Sequence, residues 1–143
     1  MQIRELYAYR RFERNLIGLL ALMFVVSGLF KFFAPALLPL SFASFGYPVW
    51  FAYVVALAEI GGGILLLGQR SCFYGASLLG LILFGAFLTH LIHGQNQLAV
   101  VPLALMCQLL MLAHLHSERV VAQVERLLRW YELDGKIAFK SGS

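Results

Sequence analysis

The chain has 143 residues, 61% of them hydrophobic and 13% charged, with a formal net charge of +4 and a mean hydropathy of +0.81. A soluble domain is nearer one-quarter charged, so the composition excludes an ordinary soluble domain, and the length holds one compact membrane domain and no second globular one. The positive charge does not point to nucleic acid, because the basic residues flank apolar runs, as membrane orientation and anionic lipid predict.

Residues 1–14 carry Arg4, Arg10, Arg11 and Arg14. With Leu6, Tyr9 or Arg10, and Glu13 along its sides, this segment is expected to lie at the membrane interface. The apolar run that follows is long enough to span, and no small-residue cleavage site follows it, so no cleavable signal peptide is expected. Apolar runs cover 15–33, 48–67, 72–92 and 98–115, each about 18–21 residues. A helix needs roughly 20 residues to cross about 30 Å of hydrocarbon. The short alternating segments of a β-barrel are absent from the sequence. The predicted fold is therefore all-α: an integral membrane four-helix bundle over 15–117, followed by a C-terminal amphipathic interfacial helix and tail over 118–143. In that last segment Val120, Val121, Val124, Leu127, Leu128 and Tyr131 share one helical face, and Glu118, Arg119, Glu125, Arg126, Arg129 and Glu132 cover the rest.

Loop charges predict the direction of insertion. Both termini and the link around Arg70 hold ten of the eleven Lys and Arg residues, and the opposite side has only Lys31. Both termini are predicted to be cytoplasmic, in a multi-pass protein of the bacterial inner membrane. Tyr47, Trp50 and Tyr53 then form an aromatic belt at the outer interface. The outer loop over 34–46 is uncharged and apolar, with Pro35 and Pro39 stopping helix propagation. It is expected to pack on the membrane surface or to fold back over the bundle mouth.

Small residues recur inside the spans. Ala58 and Gly62 are four apart, as are Ala76 and Gly80; Gly61, Gly62 and Gly63 are consecutive, and Gly75, Gly80 and Gly85 mark the third span. Such residues let membrane helices approach closely, and packing within the chain is the expected use. Cys72 and Cys107 fall at different depths, so no disulfide between them is expected.

Glu59 stands in the middle of the second span, where a lone carboxylate costs several kcal/mol. Lys31, His90 and His93 belong to the same outer half, and the two histidines, three apart, share a helical face. The four are predicted to line one polar, ligand-binding pocket, with Lys31 neutralising Glu59. From Pro48 to Glu59 is roughly 16 Å of helix, while Lys31 is two residues from the end of its span. A direct pair therefore needs the second span to begin near Trp50 or Tyr53, or a bridge through water or His90. Gln95, Asn96 and Gln97 add polarity at the mouth. A protonated, purely structural Glu59, a snorkelling Lys31 and ordinary interfacial histidines are the alternatives. His114 and His116 are expected to be interfacial at the other membrane face. No HExxH or similar metal spacing, nucleotide loop, serine elbow or haem attachment motif occurs, so neither a metal nor an intrinsic cofactor is expected.

Three stretches resemble the DoxX-like family of small four-span membrane proteins: Val26-Ser27-Gly28-Leu29-Phe30-Lys31-Phe32 at the end of span one; Ala58-Glu59-Ile60-Gly61-Gly62-Gly63 with the following apolar run and Arg70; and Ala86 to Gly94, which holds His90 and His93. The resemblance implies Lys31 and Glu59 as a shared polar core and assigns no catalysis to them. The family takes its name from a membrane subunit associated with quinone-linked sulfur oxidation. Other members resemble accessory proteins of oxidoreductase complexes, and distant relatives assist membrane protein assembly. The expectation is an accessory subunit of a membrane redox system, without catalytic activity of its own. Its pocket would take a quinone or similar small amphipathic ligand, and its partners would be the lipid bilayer and a larger membrane complex or further copies of itself. The alternative is a non-enzymatic assembly factor or scaffold subunit. A small transporter is less attractive without inverted repeats.

Overall fold

The computed structural model describes residues 3–33 and 42–141, and the backbone there is helical apart from tight turns. Four long helices follow one another: α1 Ile3–Phe33, α2 Val49–Leu67, α3 Cys72–Ile92 and α4 Asn96–Ser141. One further helical turn lies at 42–44. Each long helix holds a stretch long and apolar enough to cross a membrane: Tyr9–Phe33, Val49–Leu67, Cys72–Ile92 and Asn96–Glu118. This is a multi-pass membrane protein whose surface, with Leu19, Leu57, Leu81 and Ile92 exposed, meets the lipid bilayer. Helices satisfy their backbone groups internally, which is what hydrocarbon demands.

Consecutive helices pack against one another, α1 on α2, α2 on α3 and α3 on α4. The core between them is built from Leu20 and Phe24 of α1, Leu66 of α2, Leu79 of α3, and Leu109 and Leu112 of α4. Glycines make the closest approaches. A Cβ on Gly28 would lie 2.6 Å from the Ile60 side chain and 2.7 Å from the Ala56 carbonyl. One on Gly75 would lie 2.8 Å from both the Gly62 carbonyl and the Leu66 amide. Backbones at this range gain dispersion contacts along their length. Gly61, Gly80 and Gly85 have no such neighbour, so the glycines of span three divide into one contact residue and two open ones.

These contacts set the register of α1 on α2. Gly63 faces Ala21 and Val25, Gly28 faces Ala56 and Ile60, and the Phe32 ring lies 5.5 Å from that of Tyr53. The end of α1 is therefore level with Tyr53, and the first turn of α2 extends beyond it.

The helices run further than the spans. α1 continues without a break from Ile3, and α4 continues to Ser141, so the terminal segments prolong α1 and α4 and are not separate helices. Residues 3–17 and 103–134 contain no Gly or Pro to weaken the helix, and α4 carries on through Gly135. Val121, Val124 and Leu128 are exposed on that extension. The side chains of Leu6, Arg119, Val120, Arg126, Leu127, Tyr131 and Glu132, and the loop residues 34–41 with Pro35 and Pro39, lie outside the described residues. Cys72 is buried in the core, Cys107 is exposed, and no disulfide joins them.

Candidate functional site

Ser27 and Lys31 are one turn apart on α1 and share a face. That face meets Glu59 of α2, which is 7% exposed. Lys31 Nζ donates to Glu59 Oε2 at 2.5 Å and to Ser27 Oγ at 2.9 Å, and Ser27 Oγ donates to the same Oε2 at 3.1 Å. The three side chains close a small network.

The pair is direct although α2 begins at Val49, and two features remove the depth gap. Helical side chains tilt toward their own N-terminus, so on antiparallel helices Lys31 leans inward while Glu59 leans toward the mouth. The overhanging first turn of α2 also brings Glu59 nearer the level of Lys31. In a low-dielectric interior the attraction and the desolvation penalty nearly offset each other, so the pair matters chiefly because neither charge is left alone.

Beyond the pair, α2 and α3 part. They touch at Gly62, Gly75 and Leu79, and open toward the mouth, where Ala58, Gly85 and Ala86 carry little side chain. The space between is a cavity of about 560 Å³ with Lys31 and Glu59 at its polar end. Phe42, Phe45, Tyr47 and Phe51 form an aromatic wall, and Thr89 and His90 line the α3 side. The described part of the 34–46 loop, residues 42–46, thus folds back over the mouth.

Two glycine-terminated turns shape that wall. Gly46, at φ +78°, ends the turn at 42–44, with Gly46 N–H bonded to Ala43 O and Tyr47 N–H to Phe42 O. Gly94, at φ +70°, ends α3 in the same way, with Gly94 N–H bonded to Leu91 O and Gln95 N–H to His90 O. This paired 5→2 and 6→1 pattern needs a left-handed residue, which glycine adopts without strain. The first turn delivers Tyr47, whose hydroxyl lies 3.0 Å from Thr89 Oγ1. Thr89 already donates to Gly85 O, so the tyrosine is the donor. The second turn returns Gln95 to His90, with Nδ1 and Oε1 2.9 Å apart.

The four residues expected to share a pocket are not equally placed. Lys31, Glu59 and His90 line the cavity. His93 is exposed, donates from Nδ1 to the Thr89 carbonyl at 2.8 Å, and meets the edge of Phe45 at a ring distance of 4.7 Å. Phe45 also meets His90, at 5.6 Å. Gln95, Asn96 and Gln97 line a separate, more open hollow. Sequence reasoning did not single out Tyr47 and Thr89 as partners, or Phe42 and Phe45 as the wall.

The expectation for His116 needs correcting. His114 is exposed, but His116 is 3% exposed inside the opposite end of the bundle. Its Nδ1 donates to the Leu112 carbonyl at 3.0 Å, and its Nε2 lies 3.4 Å from Glu13 Oε1. A polar residue in a core register was the available signal: Glu13 precedes Ile17, Leu20 and Phe24 by four, seven and eleven, and His116 follows Leu112 and Leu109 by four and seven.

A family model described as the DoxX-like family matches residues 15–113. The chain belongs to the DoxX-like family. Within this DoxX-like protein the matched stretch contains Ser27, Lys31, Glu59, His90 and the cavity, while Glu13 and His116 fall just outside it. No curated protein and no solved structure matches the chain.

Proposed function

We propose that this DoxX-like protein is an accessory subunit of a membrane redox system that holds a quinone or similar small amphipathic molecule in the cavity between α2 and α3. The observation that carries this reading is the cavity's make-up: about 560 Å³, walled by aromatic rings, with a part-buried ion pair at its end. Ligand sites are mostly apolar with a few convergent polar groups. An aromatic head group would lie against Phe42, Phe45 and Phe51, with a polar substituent directed at Lys31 and Glu59 or at His90. Ten of eleven basic residues on the side of the termini favour cytoplasmic termini in a bacterial inner membrane.

The test is purification in native nanodiscs of the wild type and Glu59→Gln, with bound small molecules read by mass spectrometry. A quinone carried by the wild type and lost in Glu59→Gln is the expected result. A wild type without any quinone, and with none taken up on incubation, overturns the reading.

A scaffold role is favoured by a different observation. α4 has 46 residues, so it is about 69 Å long, more than twice the hydrocarbon thickness. Its part beyond the membrane exposes Val121, Val124 and Leu128, an apolar face suited to a partner protein or to the membrane surface.

A further inference from the structure

Gln108 stands near the middle of the Asn96–Glu118 span, where a primary amide has no water to bond. Among the described residues its side chain makes no hydrogen bond, and its amide atoms are not sealed inside the bundle. It is only partly exposed, and it sits in a stripe of residues open to the outside: Val101, Ala104, Met111 and Leu115. An amide left without a partner in hydrocarbon costs several kcal/mol.

The stripe that holds Gln108 fits a helix–helix seam. Val101, Ala104, Gln108, Met111 and Leu115 are separated by three, four, three and four residues. That is the a/d spacing of a two-helix seam, with Gln108 at an a position, where a polar residue specifies register and partner number. Ala104, one turn away, is small enough for two backbones to come close. A carboxamide is its own complement, since it donates through its NH₂ and accepts through its carbonyl oxygen. A two-fold axis beside Gln108 would let each amide satisfy the other.

We infer that a second copy of this chain packs on α4 through the Val101–Leu115 stripe, in a parallel two-fold dimer held at mid-membrane by a Gln108–Gln108 amide pair. The seam leaves the cavity between α2 and α3 open, and it is independent of what that cavity binds. Both copies insert in the same direction, so the α4 helices run parallel and their extensions leave the membrane side by side.

The experiment uses the full chain in lipid vesicles, with subunits counted by single-molecule photobleaching across a range of protein-to-lipid ratios. Wild type should dimerise, and Gln108→Leu should weaken the dimer roughly 3- to 30-fold, the range for one interhelical polar contact. Gln108→Asn should retain most of it. In a Cys107→Ser background, Met111→Cys should crosslink on mild oxidation and Leu57→Cys, on the lipid-facing side of α2, should not. The inference is overturned by a wild type that stays monomeric at every ratio, by Gln108→Leu that dimerises as well as wild type, or by crosslinking through Leu57→Cys in place of Met111→Cys.

Discussion

Lys31 and Glu59 meet directly, with Nζ and Oε2 2.5 Å apart, on two antiparallel helices whose side chains lean toward each other. Ser27 donates to the same carboxylate oxygen, so the charge is held from two directions on α1. The carboxylate that is costly in the isolated span is thereby compensated by the neighbouring helix alone.

Removing one member of this pair should therefore harm the protein more than removing both. Lys31→Met leaves Glu59 buried and unpaired, and the expected loss is about 3–5 kcal/mol. Lys31→Met combined with Glu59→Leu exchanges the pair for apolar groups of similar size and should recover most of it. Thermal unfolding in mild detergent, followed by circular dichroism, compares the three proteins. A single variant as stable as the wild type would show that water or lipid head groups reach the carboxylate and that the network does not support the fold.

The packing of α2 on α3 gives an independent prediction about backbone contact. Gly75→Ala places a methyl group against the Gly62 carbonyl and the Leu66 amide, both 2.8 Å away, and neither can move without moving a helix. The expected cost is about 1–3 kcal/mol, as for other overpacked sites. Gly80→Ala meets nothing within 4 Å, and it should be neutral or stabilising by up to about 1 kcal/mol through helix propensity. Unfolding midpoints of the two variants, measured side by side, check the contrast.

Much of this was legible in the sequence, and the physical reason is the bilayer. Four apolar runs of spanning length permit only helices, and a carboxylate within one of them demands a partner. Lys31 and Glu59 could be named on that basis. What could not be read was the register of α1 on α2, because it is set by where Gly28 and Gly63 allow the backbones to touch. Residue counts from the span ends consequently overstated the depth gap. Phe42, Phe45 and Tyr47 were equally hidden, since their placement depends on the left-handed turn at Gly46. The helix ends were missed for another reason. Charge and hydropathy mark where a membrane stops, whereas a helix runs on past that point while the local sequence favours helix.

The second ionisable contact, Glu13 with His116, should behave as a coupled unit joining α1 to α4. Glu13→Ala leaves the buried Nε2 of His116 without a partner, a loss of about 1–3 kcal/mol. His116→Phe should cost a comparable amount by leaving Glu13 alone, and the double variant should cost less than the sum. A double-mutant cycle on unfolding free energies should give a coupling of about 0.5–3 kcal/mol. Strict additivity would mean that the 3.4 Å contact contributes nothing to holding the helix ends together.

Blocking the cavity without disturbing its charges separates ligand binding from folding. Gly85 lines the cavity, and a Cβ there meets no neighbour within 4 Å, so Gly85→Phe directs a ring into open space. Lys31, Ser27 and Glu59 lie on other helices and keep their bonds. The variant is expected to fold with an unfolding midpoint close to that of the wild type and to lose at least tenfold in affinity for an added quinone, read by quenching of intrinsic tryptophan fluorescence, for which Trp50 stands next to the Phe51 wall residue at a ring distance of 6.0 Å. Tenfold corresponds to about 1.4 kcal/mol, a small demand on a ring that occupies the ligand's own volume. Unchanged affinity in a folded Gly85→Phe protein would place the ligand elsewhere, on the lipid-facing surface or in the hollow near Gln95, and would detach the ion pair from any role in binding.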